Sequence, residues 1–163
     1  MGADILIATD PDCDRVGIAI KQGDDFRLFS GNEVGVLLTD FIAKRKVAMG
    51  IMPKKPVVVK TIVTTDLANR VADDYGIETR DVLTGFKYIG DQIANLEKDG
   101  EVDRYLLGFE ESYGYLSGSY VRDKDAVNGA YLIAQMFAYY KAENKSLLDV
   151  LNGLYEKYGY YLN

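Results

Sequence analysis

The chain contains no histidine and only one cysteine, and its 19 basic residues are outnumbered by 25 acidic residues. Without histidine, a Ser-His-Asp triad and a histidine-ligated zinc site are excluded, so any general acid or base must be a carboxylate, a lysine or a tyrosine. A single cysteine cannot form an intrachain disulfide, which favours a reducing, cytoplasmic location. The net charge of −6 disfavours nucleic acid and anionic membranes as main partners, because both bind basic surfaces.

The sequence also lacks a hydrophobic run long enough for a membrane span. Its longest apolar stretch, residues 130–140, is shorter than the roughly 20 residues that a bilayer requires. With 163 residues, of which 48% are hydrophobic and 27% charged, the chain has the composition of a soluble globular protein. This length suits one well-buried core, or one domain with part of a neighbour.

Three aspartates alternate in the segment D-P-D-C-D-R, residues 10–15, which follows an apolar run that predicts a buried strand. Three anions within five residues repel one another unless a cation neutralises them. Carboxylate oxygens are the ligands that Mg²⁺ and Ca²⁺ prefer. The segment therefore predicts a divalent-cation site formed by Asp10, Asp12 and Asp14 at the carboxyl end of a strand, where open α/β sheets bind ligands.

Two other interpretations of this segment do not involve catalysis. A solvated acidic turn is one, although a turn needs only one or two of the three carboxylates. An EF-hand calcium loop also begins D-x-D-x-D, but it requires glycine where Arg15 stands and glutamate where Lys21 stands. These two positions exclude the EF-hand.

A phosphatase motif is the more serious alternative. Residues 12–16 fit D-x-D-x-[TV], the nucleophile motif of haloacid-dehalogenase-type phosphatases, with Asp12 as nucleophile and Asp14 as acid. Such an enzyme needs a later acidic pair after a hydrophobic strand. The nearest candidate includes Asp91, which falls within a predicted helix and so counts against the phosphatase.

Two segments at predicted strand ends carry polar groups suited to binding, the first to an anion and the second to vicinal hydroxyl groups such as those of a sugar. In T-G-F-K, Thr84, Gly85 and Lys87 lie between a strand and a helix, whose N-terminus favours an anion. In F-E-E-S-Y-G, two adjacent glutamates beside Ser112 offer acceptors for vicinal hydroxyl groups. Because neighbouring strand residues face opposite ways, we expect only one of the two glutamates to enter a site. Taken alone, Lys87 also fits a solvated lysine in the first turn of a helix, and F-E-E-S-Y-G also fits a plain exposed loop.

The segment R-D-K-D places Arg122 and Lys124 directly before a predicted helix. Both cations are suited to binding a phosphate or assisting a proton transfer, whereas Asp125 is a suitable N-cap for the helix. A surface charge cluster would explain the segment equally well.

Hydrophobic periodicity predicts an α/β fold: a mostly parallel sheet with flanking helices, preceded by a strand–metal loop–hairpin segment. The hairpin has its turn at residues 21–25, and Asn32 is the predicted N-cap of the first helix. Residues 44–56 contain two of the three prolines and indicate a boundary, whereas residues 110–120 indicate a loop. Strands are predicted over residues 57–63, 77–83 and 105–109. One helix is predicted to end near Tyr75, and three others to span residues 86–98, 126–142 and 146–158.

In this order, the motifs resemble those of the α-D-phosphohexomutase superfamily, which includes phosphoglucomutase and phosphomannomutase. D-P-D-C-D-R is similar to the superfamily's D-G-D-x-D-R magnesium loop, and F-E-E-S-Y-G to its G-E-E-S-F-G sugar-recognition loop. T-G-F-K and R-D-K-D are similar to its flanking segments. The resemblance covers nearly the whole chain and implies that residues 1–45 are the C-terminal part of the second domain and residues 46–163 the third α/β domain.

The resemblance also implies a role for each matched residue. The three aspartates would ligate Mg²⁺, while Arg15 and Lys124 would be catalytic, the first holding the phosphate and the second moving a proton. The substrate, a hexose phosphate, would be bound by Glu110 and Ser112, with further contacts from Thr84, Gly85, Lys87 and Arg122. The E-E-S form of the loop is similar to the loop in the glucose-preferring branch of the superfamily. However, Phe109 stands where glycine is usual, which makes a preference for glucose less definite.

The implied reaction interconverts sugar 1-phosphate and 6-phosphate through a phosphoserine and a bisphosphate intermediate. The superfamily's S-H-N-P phosphoserine loop and R-x-S-G-T phosphate-binding loop have no counterpart in this sequence. We therefore expect a central fragment that is inactive alone and works with the first and fourth domains of the same protein. A non-enzymatic sugar-phosphate-binding module is the remaining alternative.

Overall fold

The computed structural model describes residues 2–161, which begin with a three-stranded antiparallel sheet. Strand β1 (Ile5–Thr9) pairs with β2 (Val16–Gln22), and β2 pairs with β3 (Asp25–Phe29). The predicted hairpin is confirmed, with a tight turn at Gly23, whose φ of +63° suits glycine. The predicted metal loop, residues 10–15 and called the metal loop below, therefore lies in the connection between β1 and β2.

Strand β1 differs from the sequence prediction, because it is not buried. Leu6 and Ile7 keep 49% and 36% of their surface exposed, and they point to opposite sides of the strand. Within residues 2–161, β1 pairs along one edge only, with β2. An apolar run thus predicted the strand correctly but not its environment.

The second sheet has the strand order β5-β4-β6-β7 and is mostly parallel, as predicted. Strands β4 (Val57–Thr61), β5 (Glu78–Val82) and β6 (Tyr105–Phe109) run parallel to one another. Strand β7 (Tyr115–Leu116) is antiparallel to β6 and lies within residues 110–120, which the sequence predicted as a loop. The return of the chain from β6 to β7 shapes the loop F-E-E-S-Y-G.

Helices cover both faces of this sheet and complete an α/β/α arrangement. Alternate residues of β4 separate two cores, since Val58 packs with α1 (Gly31–Ala48) and α2 (Leu67–Asp74), whereas Val57 and Val59 pack with α3 (Phe86–Lys98). Helices α4 (Ala126–Ala142) and α5 (Leu147–Tyr158) join the first core. Among the described residues, none of the helices has both the length and the apolar character of a membrane span.

Two local predictions about α1 are wrong. Its N-cap is Ser30 rather than Asn32, because the Ser30 hydroxyl accepts from the Glu33 N–H and the Glu33 carboxylate accepts from the Ser30 N–H, a capping box. The Asn32 side chain instead accepts a hydrogen bond from the Thr65 N–H at 3.1 Å. The helix also continues through Ala48, so the first residues of the predicted boundary are helical, whereas the prolines follow the helix end. The division at residues 45 and 46 stays a proposal.

Candidate functional site

The metal loop is a compact turn organised by Asp10. One carboxylate oxygen of Asp10 accepts hydrogen bonds from the N–H groups of Asp14 and Arg15, at 3.1 and 3.0 Å. The Cys13 N–H donates to the Asp10 carbonyl at 3.1 Å, and Cys13 has the left-handed φ of +59° that closes the turn. The carbonyl of Cys13 accepts from the Ala126 N–H, which seats the loop on the first residue of α4.

This turn brings the three predicted metal ligands together. Asp10, Asp12 and Asp14 each offer a carboxylate oxygen, and the three oxygens lie within 4.8 Å of one another. Asp12 is exposed, whereas the other two are half-buried. Three hard oxygen ligands converging from one loop are suited to Mg²⁺ or Ca²⁺, so the residues present fit a divalent cation.

Arg15 lies directly beside the carboxylates that it follows in sequence. Its Nε is 2.7 Å from Asp10 Oδ2 and 3.7 Å from Asp14 Oδ1. The Arg15 backbone N–H, assisted by its side chain, holds the pKa of Asp10 well below the ordinary value. Asp10 is therefore ionised throughout the neutral range. The Arg15 side chain is half exposed, which leaves its guanidinium accessible to an anionic ligand.

Lys124 connects the metal loop to the segment R-D-K-D. Its Nζ lies 2.8 Å from Asp14 Oδ2 and 3.0 Å from Asp123 Oδ1, and it stands 5.6 Å from the centre of the Phe86 ring. Burial lowers the pKa of Lys124, but the hydrogen bonds to both aspartates outweigh this effect and raise it overall. Asp123 and Phe86 lie within R-D-K-D and T-G-F-K, but neither was predicted as a partner of Lys124, because the sequence does not show that these two segments meet.

Glu110 is the buried carboxylate of the candidate site, with only 6% of its surface exposed. Its Oε1 accepts from the Gly85 N–H at 3.1 Å, at the N-terminus of α3, and its Oε2 lies 3.5 Å from the Ser112 hydroxyl. Burial raises the pKa of Glu110 above its usual range. A carboxylate held against a helix N-terminus, with a hydroxyl alongside, presents acceptors in a fixed direction.

The two loops form one structure. Residues Arg15 and Gly114 make a β-bridge, and the Val16 N–H donates to the Tyr113 carbonyl at 3.1 Å. A methyl group on Gly114 would lie 2.3 Å from Cδ of Lys124 and 3.6 Å from Glu110 Oε2, so the lysine stem passes over this glycine. The candidate cation site, Lys124 and Glu110 are thus contiguous although they lie far apart in sequence.

Thr84, Lys87 and Arg122 were also predicted to bind substrate. They are less closely joined to the group formed by the candidate cation site, Lys124 and Glu110. Thr84 and Lys87 are exposed beside Gly85, and the Lys87 Nζ lies 4.9 Å from the centre of the Tyr88 ring. The Arg122 guanidinium pairs with Glu97 and with backbone carbonyls nearby. At 1.5 Å per residue, Glu97 is about 16 Å along α3 from Phe86. Arg122 and Lys124 therefore point toward different ends of the same helix.

Phe109 is a core residue, although its place in the sugar-recognition motif suggested an effect on substrate choice. It is fully buried and packs so closely on α1 that a methyl group on Gly35 would lie 2.1 Å from its ring. Its side chain therefore points away from Glu110. Asp91, the nearest acidic candidate for the phosphatase mechanism, is exposed within α3 rather than at a strand end.

The first residue of α1 packs against the backbone of the loop that carries Glu110. A methyl group on Gly31 would lie 2.0 Å from the Glu111 carbonyl oxygen, a contact that only a backbone shift can relieve. We expect Gly31→Ala to lower the free energy of unfolding by about 3 kcal/mol. In the matched change Gly153→Ala, within α5, the added methyl meets nothing within 4 Å and should raise the free energy of unfolding by about 0.5–1 kcal/mol. Urea unfolding measures both, and equal midpoints would contradict the packing.

Comparison with known proteins identifies relatives of this chain. The family model "Phosphoglucomutase/phosphomannomutase, alpha/beta/alpha domain III" matches residues 30–158. A phosphoglucomutase of Staphylococcus saprophyticus is 39% identical over 160 residues, which are 98% of this chain and 28% of that protein. This chain therefore spans less than a third of the length of that relative.

Two solved structures are similar in fold. Parafusin, a phosphoglucomutase of Paramecium, has a TM-score of 0.71 at 20% identity, over 96% of this chain and 25% of that one. An Aspergillus fumigatus N-acetylphosphoglucosamine mutase, solved with GlcNAc-6P and magnesium, has a TM-score of 0.66 at 17% identity, over 93% of this chain and 36% of that one.

Proposed function

Because the chain belongs to the phosphoglucomutase/phosphomannomutase family, we propose that it is the central part of a longer enzyme that interconverts hexose 1-phosphate and hexose 6-phosphate. In this proposal it supplies the metal loop and the sugar-recognition loop. The observation that carries the proposal is the Lys124–Asp14 contact of 2.8 Å, since the stem of the same lysine passes over Gly114 in the loop that holds Glu110. A phosphoryl group bound between the two loops would therefore be close to both the candidate cation site and Glu110.

Asp10, Asp12 and Asp14 are the residues proposed to hold Mg²⁺. When bound, Mg²⁺ would neutralise negative charge that develops on the transferring phosphoryl group. Magnesium in the solved N-acetylphosphoglucosamine mutase supports this choice of metal. Arg15 is proposed to hold the phosphate, because its half-exposed guanidinium is kept in place by Asp10 and offers planar paired donors.

Glu110 and Ser112 are proposed to bind two adjacent sugar hydroxyls. The buried carboxylate is oriented by the Gly85 N–H, so a hydroxyl donor meets an acceptor that is already fixed. Lys124 is proposed to move a proton at the reacting hydroxyl, because its Nζ contacts Asp14 of the metal loop while its stem passes over Gly114, close to Glu110. Thr84, Gly85, Lys87 and Arg122 remain proposed contacts with the substrate.

The other parts of the reaction are assigned to the rest of the protein. A phosphoserine from the first domain would donate a phosphate and later accept one back, through a bisphosphate intermediate. The fourth domain would bind the second phosphate. The cytoplasmic location expected from the single cysteine stays a prediction.

The proposal is tested by assaying the intact protein with glucose 1-phosphate and mannose 1-phosphate. We expect conversion to the 6-phosphates that stops when a chelator removes Mg²⁺ and returns when Mg²⁺ is added. Steady release of inorganic phosphate by the 163-residue chain alone, abolished by Asp12→Asn, would instead support the phosphatase. Tight calorimetric binding of glucose phosphate by the chain alone, with no conversion by the intact protein, would support a binding module.

A further inference from the structure

The two adjacent glutamates of the sugar-recognition loop point into different environments. In β6, Gly108 faces Ile89 of α3, whereas Phe109 faces Gly35 of α1. The alternation continues beyond the strand, because Glu110 contacts the N-terminus of α3 and the Glu111 carbonyl packs against Gly31 of α1. Glu111 is therefore on the opposite side of the loop from the proposed sugar contact.

The Glu111 carboxylate is held by two threonines from the neighbouring strand and its loop. Its Oε2 lies 3.0 Å from Thr61 Oγ1 and 3.2 Å from Thr64 Oγ1, and the two hydroxyls are 2.7 Å apart, so the two hydroxyl protons are shared among three contacts within one hydrogen-bonded group. Thr61 is 0% exposed and Thr64 is 3% exposed, whereas Glu111 is half-buried, so the two donor hydroxyls are shielded from water. These bonds connect the segments that follow the parallel strands β4 and β6.

The same segments are fixed from a third direction by α1. The Asn32 side chain accepts from the Thr65 N–H, and Gly31 packs directly on the Glu111 carbonyl. The loop backbone thus lies between α1 and the segment after β4, while Gly114 joins it to the metal loop. A loop enclosed in this way has little freedom to move Glu110 once the Glu111 carboxylate is anchored.

We propose that Glu111 is a positioning residue: through Thr61 and Thr64 it sets the direction in which Glu110 and Ser112 face the sugar. This inference depends on the proposed function, because it assumes that Glu110 binds substrate. Glu111 contributes its hydrogen-bonding capacity rather than its charge. The contact to the sugar is the same in the ground state and the transition state, so loss of the anchor affects substrate binding more than the chemical step.

The test compares five variants of the intact enzyme by steady-state kinetics. Glu111→Ala removes the anchor and should raise KM for the sugar phosphate about tenfold, because small misplacements of binding groups are costly, while kcat stays near the wild-type value. Glu111→Gln keeps an oxygen that accepts from the threonine hydroxyls and should restore KM. Thr61→Val with Thr64→Val should raise KM as Glu111→Ala does, whereas Thr61→Ser with Thr64→Ser should not. Combining Glu111→Ala with both valines should add no further effect.

Matched outcomes separate the positioning role from its alternatives. Glu156→Ala, at an exposed position of α5, is the control and should leave KM unchanged. If Glu111→Gln is as impaired as Glu111→Ala, or if the two valines leave KM unchanged, the positioning role is wrong. If Glu111→Ala does not fold, the valine and serine pairs still decide. A wild-type enzyme without mutase activity overturns both proposals, whereas an active one that is insensitive to the whole Glu111 series overturns only this inference.

Discussion

Replacing Asp12 with asparagine in the intact enzyme is expected to lower kcat by about 10²–10³-fold, the usual effect of removing one group that stabilises transition-state charge. Asp12 is the most informative of the three aspartates because its side chain is exposed. Asp10, by contrast, also holds the turn together through two backbone N–H groups. Asp12→Asn therefore removes a ligand charge while leaving the fold of the loop intact.

Two measurements check this prediction. Mg²⁺ titration of activity should shift to higher concentration, and Mn²⁺ binding followed by electron paramagnetic resonance should weaken in the same variant. Asp24→Asn is the matched control, because Asp24 is an exposed aspartate in the hairpin turn at the other end of β2 and should change neither value. Full activity of Asp12→Asn, or full activity of the wild type in chelator, would remove the metal role from this loop.

The sequence predicted regular elements best where apolar residues recur on one side. Helix α3 spans Phe86–Lys98 as predicted, because Ile89, Ile93 and Leu96 repeat with helical spacing and all three are buried. Strand β7 was missed because two residues carry no detectable period. Its pairing with β6 is a tertiary contact, supported by the hydrogen bond from Tyr105 to the Leu116 carbonyl. The exposure of β1 was missed for a similar reason, since an apolar run indicates a strand without saying what covers it.

The candidate site was predictable in its parts but not in its assembly. The alternating aspartates predict a cation site without any knowledge of the fold, because carboxylates this close in sequence repel one another wherever the segment lies. The contact between Asp14 and Lys124 joins residues far apart in the chain, so only the fold reveals it. Only the fold reveals the partner of Arg122 as well. It pairs with Glu97, although it stands two positions from Lys124 in the sequence. Spacing identifies the charged groups, and packing decides which of them meet.

Replacing Glu110 with glutamine should separate function from stability. Glutamine keeps the shape, and its single oxygen accepts from the Gly85 N–H, but it places an amide NH2 where the second carboxylate oxygen would accept from a sugar hydroxyl. Hydrogen bonds to charged groups contribute about 1.5–3 kcal/mol, so kcat/KM should fall about 10- to 100-fold. Steady-state kinetics with the intact enzyme measure this loss, with Glu156→Gln as an exposed control that should retain full activity.

The stability of the same variant should change in the opposite direction, and the sign follows from the raised pKa of Glu110. A buried carboxyl releases its proton more readily in the unfolded chain, so the wild type loses stability as the pH rises from the unfolded pKa through the folded pKa. Glutamine does not ionise and avoids this loss. Urea unfolding of wild type and Glu110→Gln should therefore give similar midpoints at low pH and a more stable variant at neutral pH. A variant that is less stable at neutral pH would mean that the ionised carboxylate stabilises the fold, and Glu110 would then be structural rather than a sugar contact.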